Sequence, residues 1–181
     1  FIGVIIIGLS CFLKRNQSKV VSLITLGIII LLLSLRSAPD EYLRYIEEYG
    51  NIESIISGFP LSEPFFKFFC LIYSKTPIPL FLLYFTTYLS TFYLIIKGLE
   101  KSGLSYKSIP LCISFFLAHW FITLGYIAIR GSLANAFCFY GASVLINSRK
   151  FLKSSILLIL AILIHPQTIL LVFVIYTLYI I

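Results

Sequence analysis

The sequence predicts an all-α protein, a polytopic bundle of transmembrane helices with about six spans, on three observations. Of its 181 residues 60% are hydrophobic and only 12% are charged, with a mean hydropathy of +1.03. A soluble domain carries about 25% charged residues to wet its surface. Half that excludes a water-soluble enzyme, a nucleic-acid-binding module and a disordered chain together. Second, six stretches hold no acidic or basic residue. Third, the few charges are sorted by sign along the chain, as in proteins whose loops alternate between membrane faces. The net charge of +7 therefore reads as the basic excess of cytoplasmic loops and implies no nucleic-acid partner.

In chain order the uncharged stretches are Phe1 to Leu13, Val20 to Leu35, Ile78 to Ile96, Ile109 to Ile129, Gly131 to Ser148 and Ser154 to Ile181. Crossing about 30 Å of hydrocarbon takes roughly 20 helical residues. The first stretch is short, as a truncated span would be, and it lacks the basic leader and small-residue cleavage site of a signal peptide. The chain opens and closes inside apolar runs, so it reads as a fragment of a longer protein, with residues 1–181 one integral membrane domain.

Charge then assigns the faces. Lys14, Arg15 and Lys19 share one connection; Lys97, Lys101 and Lys107 a second; Arg149, Lys150 and Lys153 a third. All three are expected inside. Residues 36–77 form the expected extracytoplasmic loop, since Asp40, Glu41, Glu47, Glu48, Glu53 and Glu63 are six of the seven acids. The assignments agree only if the chain crosses once between Lys75 and Lys97 and twice between Lys107 and Arg149, and the apolar runs supply those crossings. Arg130, between two such runs, then falls on the outer side.

Within the loop, Pro39, Asp40 and Glu41 read as a helix start. Tyr42, Tyr45 and Tyr49 follow at helical spacing, with Asp40, Arg44, Glu47 and Glu48 on the other face, which predicts a short amphipathic helix at the membrane surface. Gly50 ends it. Ser62, Glu63 and Pro64 start a second helix through Phe65 to Tyr73, too short to cross and therefore interfacial, re-entrant or packed on the bundle. Pro77 and Pro79 break it before the next span.

Three polar residues stand out in apolar surroundings. Arg130 must face a cavity, snorkel or find a partner, because a central Arg costs about 2.5 to 3.5 kcal/mol on insertion scales. His165 sits midway along the last apolar run and precedes Pro166, where a kink would free backbone carbonyls. His119 lies within its own span. Each has a plain structural alternative. Glu63 and Asp40 can be helix-start carboxylates, Arg130 a headgroup anchor, either His a packing residue, and the tyrosines an interfacial belt. Cys11, Cys70, Cys112 and Cys138 lack metal-ligand or CxxC spacing, and there is no phosphate loop, nucleophile elbow or His-Glu zinc motif. Neither metal nor cofactor is expected.

As a functional set, carboxylate, tyrosine, arginine and histidine at a membrane boundary suit a substrate with a lipid tail, an anionic linker and a sugar head. Arginine matches phosphate oxygens and stays charged when partly desolvated. A carboxylate can accept a sugar hydroxyl proton, and a fixed Arg stabilises a departing pyrophosphate.

The stretch Arg36-Ser-Ala-Pro-Asp40-Glu41-Tyr42-Leu-Arg44-Tyr45, followed by Glu63-Pro64-Phe65-Phe66, resembles the EpsG family of bacterial polysaccharide-synthesis membrane proteins, described as Wzy-like polymerases. Arg130 with Leu133-Ala134 is similar to the family's Arg-Gln-x-Leu-Ala helix start, and His165 to its lone histidine in an apolar span. Gly131 stands where the family often has Gln, and Pro166 follows the His. The resemblance covers roughly Leu26 to Val174. It implies a multi-pass enzyme of the bacterial cytoplasmic membrane, metal-independent, that takes an undecaprenyl-pyrophosphate-linked oligosaccharide and works among membrane lipids and other polysaccharide-assembly proteins. It also implies Asp40 or Glu63 as base, Arg130 with Arg36 as pyrophosphate ligands, and Tyr42, Tyr45 and His165 as substrate-positioning residues. Three alternatives remain: a polyprenol-phosphate-dependent GT-C glycosyltransferase, which transfers one sugar and often uses a metal; a transporter or lipid flippase, which should show repeated span pairs; and a purely structural membrane subunit.

Overall fold

A computed structural model describes residues 2–35, 63–123 and 129–180, and of residues 119–123 the backbone only. Every regular element among the described residues is helical. α1 (Ile2–Leu9) runs into a 3-10 turn (Ser10–Phe12), and α2 is Arg15–Ser34. α3 (Pro64–Ser74) and α4 (Pro79–Lys101) each begin with proline, whose missing N–H costs nothing at a first turn. α5 (Ser108–Thr123), α6 (Ile129–Ser148), α7 (Phe151–Ile164) and α8 (Ile169–Ile180) complete the order, with a 3-10 turn (Pro166–Thr168) between the last two.

Three of these helices, α2, α4 and α6, with 20, 23 and 20 residues, are long and apolar enough to cross a membrane. The sequence expects about six such segments; among the described residues these three meet the length, and one of the remaining runs is divided for a local reason. The run from Ser154 is not one helix, because Pro166 cannot donate the next hydrogen bond and its ring opposes the preceding turn, leaving pieces of 14 and 12 residues. Conversely, α2 starts five residues before its apolar run, since Arg15 and Lys19 can lay their alkyl stems along the helix and keep their charges at its end. The tyrosine-bearing helix expected from Pro39 to Gly50 and the side chain of His119 lie outside the described residues.

Side-chain contacts fix how the helices run. Ser18, Ser22 and Leu26 of α2 share a cavity wall with Ile96 and Glu100 of α4, so these two are antiparallel. Ser102 meets Ser143 at 3.3 Å, which makes α4 and α6 parallel. Ser154 donates to the Gly141 carbonyl at 2.8 Å and Lys153 to the Tyr140 hydroxyl at 3.0 Å, which makes α6 and α7 antiparallel. The three basic connections therefore gather at one end of the bundle. The starts of α3 and α6 and the end of α7 lie at the other.

The core is built on α4 and α6. On α4 Tyr84, Tyr88 and Phe92 are buried at four-residue spacing with Thr87 and Thr91 beside them, and the Tyr84 and Tyr88 rings stack at 6.0 Å. Many large apolar side chains also face outward, among them Leu170, Phe173, Leu152 and Phe115. An apolar exterior around an apolar core suits a lipid surround, and serine and threonine hydroxyls add contacts inside it. Hydroxyl needs are met locally: Thr91 donates to the Thr87 carbonyl and Ser34 to that of Ile30. Across helices, Ser114 donates to the Val4 carbonyl at 2.7 Å.

Gly141 marks a close approach of α6 and α7. A Cβ there would lie 3.0 Å from Leu158 Cδ2 and 3.4 Å from the Leu157 Cβ, whereas one at Gly27 would meet nothing within 4 Å. Gly141→Leu is expected to destabilise the detergent-solubilised protein by about 1–3 kcal/mol through overpacking. Gly27→Ala should be neutral or slightly stabilising through helix propensity. Thermal unfolding of the two variants checks the contrast.

Candidate functional site

Glu63 occupies the N-cap of α3 with φ 59° and ψ 48°, the left-handed region. For a residue before proline the right-handed helical conformation is disfavoured, and the left-handed one costs a side-chain-bearing residue about 1 kcal/mol or more. This backbone does not turn the carboxylate onto its own helix: no side-chain cap bond forms. The helix-start alternative for Glu63 therefore describes its position but not the work of its side chain.

The carboxylate reaches two other helices instead. Its Oε2 pairs with Nη1 of Arg130, and its Oε1 lies 2.9 Å from Nδ1 of His165. The three side chains are 15%, 18% and 23% exposed respectively, shielded but not sealed from the surroundings. Arg130 is the second residue of α6, where the helix dipole is positive and disfavours a cation. A carboxylate partner offsets that. The Arg130 guanidinium also lies 5.9 Å from the ring centre of buried Phe66, one turn into α3, within cation–π range.

His165 follows the last residue of α7, with extended backbone, and its N–H still bonds the Ala161 carbonyl at 2.9 Å. Its own carbonyl accepts from the Thr168 N–H at 3.0 Å and the Thr168 hydroxyl at 2.8 Å. The break expected at Pro166 is thus present and closed by a 3-10 turn. It places the imidazole at the negative end of one helix dipole, facing the carboxylate. A carboxylate only accepts, so Nδ1 carries the hydrogen and Nε2 is the ring atom left for chemistry. Nε2 lies 3.1 Å from the Gln167 side-chain oxygen. That contact suits an imidazolium, or a neutral ring once the Gln amide is turned to present its NH2.

Beside His165 opens a cavity of about 280 Å3, walled by Gly131, Ser132 and Asn135 of α6 and by Gln167, Thr168 and Leu171. Hydroxyl, amide and imidazole groups line it, a set suited to a polyhydroxylated ligand. Gly131 contributes no side chain to that wall.

Of the residues selected from sequence, Glu63, Arg130 and His165 come together; Arg36, Asp40, Tyr42 and Tyr45 lie outside the described residues. Sequence reasoning missed Gln167, Asn135, Ser132 and Phe66. Two signals were available: Gln167 follows the His-Pro break by one residue, and Ser132 and Asn135 share a helical face three residues apart. Among the described residues no three of His, Cys, Asp and Glu gather as a metal site.

Helices of spanning length and a shielded carboxylate, guanidinium and imidazole at one end of the bundle define a membrane protein with a polar site at that end. The chain belongs to the EpsG family, whose sequence model matches residues 19–181. That family points to a Wzy-like polysaccharide polymerase in a membrane, glycosyltransferase-like in its chemistry. The chain matches no curated protein and no solved structure.

Glu63→Gln and Arg130→Gln should each destabilise the protein by about 1–3 kcal/mol, because each removes one side of a shielded ion pair. The double variant should cost clearly less than the sum, with a coupling of about 1 kcal/mol or more. Unfolding titrations on the four proteins of the cycle measure it.

Proposed function

We propose that this chain polymerises a bacterial surface polysaccharide at the outer face of the cytoplasmic membrane. It would move a growing glycan from an undecaprenyl-pyrophosphate carrier onto the next lipid-linked repeat unit, in exopolysaccharide, capsule or O-antigen synthesis. The observation that carries the reading is the Glu63 carboxylate bridging Arg130 and His165 at the bundle end opposite the three basic connections. Basic loops stay on the cytoplasmic side, so the cluster would face outward, where lipid-linked repeats arrive. In this reading the shorter apolar helices complete about six passes, and residues 36–77 lie outside.

The chemistry follows from the cluster. The acceptor hydroxyl gives up its proton as its oxygen attacks the anomeric carbon, the bond to the carrier phosphate breaks, and the pyrophosphate leaves with the electron pair. Arg130 stabilises the charge growing on that phosphate; a guanidinium has five N–H donors, so its pairing with Glu63 does not exhaust it. Both Glu63 oxygens are engaged, so Glu63 is better placed to orient Arg130 and His165 than to act as the base. His165 Nε2, with Nδ1–H held by Glu63, is the described atom best equipped to take the proton. Asp40 remains the base selected from sequence, with Arg36 as a second phosphate ligand and Tyr42 and Tyr45 as sugar-stacking residues. The mechanism requires no metal.

Arg130→Ala and His165→Asn are each expected to reduce polymer formation by about 100-fold or more, with single lipid-linked repeats accumulating in cells. Glycan chain length on gels and extraction of the lipid-linked pool read both effects. Long polymer at normal yield in both variants would defeat the site. Parallel Asp40→Asn separates the two bases, since only the true base should abolish transfer while carrier binding persists. Chain extension by the purified protein should also survive a chelator; its loss would favour the one-sugar GT-C reading.

A further inference from the structure

A larger cavity, of about 500 Å3, opens at the basic end of the bundle, opposite Glu63. Two adjacent rows of α2 line it: Arg15 and Lys19 on one, Ser18, Ser22 and Leu26 on the next. Its character changes with depth. Arg15, Lys19 and Tyr106 are exposed at the mouth, while Leu26 and Ile113 are buried within.

The wall is held in place from behind. Ser10 donates its single hydroxyl hydrogen to the Ile7 carbonyl at 2.7 Å, so in its 2.8 Å contact with Ser22 the donor is Ser22. Both serines are buried, and the contact ties the end of α1 to the cavity-lining face of α2. The cavity is therefore bounded by interlocked helices.

Charge narrows the occupant. Among the described residues Glu100 is the one acid on the lining, and Lys97 Nζ engages it at 2.7 Å, which leaves the charges of Arg15 and Lys19 at the mouth. A small soluble anion would use the two cations but gain nothing from Leu26 and Ile113. A neutral lipid would use the apolar depth but not the cations. An anionic headgroup on an acyl chain uses both, and a membrane surrounds this protein with such molecules.

We propose that this cavity is a binding site for an anionic phospholipid, its phosphate between Arg15 and Lys19 and the first part of one acyl chain against Leu26 and Ile113. The site is independent of the proposed polymerase chemistry, and its test reads binding alone.

The purified full-length protein in detergent is titrated with phosphatidylglycerol, phosphatidylethanolamine or inorganic phosphate, and bound lipid is counted by native mass spectrometry. Phosphatidylglycerol should be retained in preference to phosphatidylethanolamine. Arg15→Gln with Lys19→Gln should weaken its retention by about 10- to 30-fold, while Lys150→Gln, at another basic connection, should leave it within about twofold. Leu23→Trp, which fills the cavity beside Lys19 and keeps both cations, should weaken it too. If the double variant proves unstable in thermal unfolding, the two single variants supply the reading. Equal retention of the two lipids, wild-type retention by the charge variants, or displacement of phosphatidylglycerol by inorganic phosphate would overturn the proposal, the last because it marks a soluble-anion site.

Discussion

The Glu63 carboxylate ties three separate helices together at one end of the bundle, and the candidate site exists only through that contact. One oxygen holds Arg130 at the start of α6 and the other holds His165 at the end of α7. Each partner stands where electrostatics makes the carboxylate useful: Arg130 at the wrong end of a helix dipole, His165 at the end that favours a cation. The left-handed backbone of Glu63 is the local cost of presenting the carboxylate to both. Without it, part-buried Arg130 would lose an ion-pair partner and the imidazole would lose the acceptor that defines its tautomer.

The rest of the bundle obeys a different constraint, the scarcity of water. Its apolar interior is crossed by serine and threonine hydroxyls that satisfy one another or a nearby carbonyl, and many bulky apolar residues also face outward. Charges are therefore confined to the ends, and the two ends differ. One carries basic connections and the amphipathic cavity beside Arg15 and Lys19. The other carries the charge cluster and a small polar cavity. In the proposed polymerase reading, the apolar walls would hold the lipid carrier and the polar boundary its phosphate and sugar.

Much of this was legible in the sequence because single residues announce themselves in apolar surroundings. Glu63-Pro64 marked a helix start, Arg130 an expensive cation in need of a partner, and His165-Pro166 a break, and each stands so in the structure. Charge sorting anticipated that the basic connections share one end. What could not be read was partnership. Glu63 and Arg130 are 67 residues apart and Glu63 and His165 are 102 apart, and six acids in one stretch offered Arg130 equivalent partners by charge alone. The positions of α3, α6 and α7 are what bring Glu63 to both partners. The cavity-lining Ser132, Asn135 and Gln167 were silent for the opposite reason: uncharged polar residues in a helix carry no energetic alarm until a cavity gives them something to face. Helix lengths were misjudged where hydropathy alone was followed, since it extends a span through Pro166 and stops one short of Arg15.

The account rests on a hydrogen bond from His165 Nδ1 to Glu63, and the chain's two histidines make it directly observable. Nitrogen-15 histidine spectroscopy on the membrane-reconstituted protein, with His119→Gln to assign the signals, should show a Nδ1–H of His165 shifted strongly downfield by a carboxylate acceptor. Glu63→Gln should remove that shift and leave the His119 signal unchanged. A His165 spectrum identical in wild type and Glu63→Gln would contradict the cluster on which the site is built.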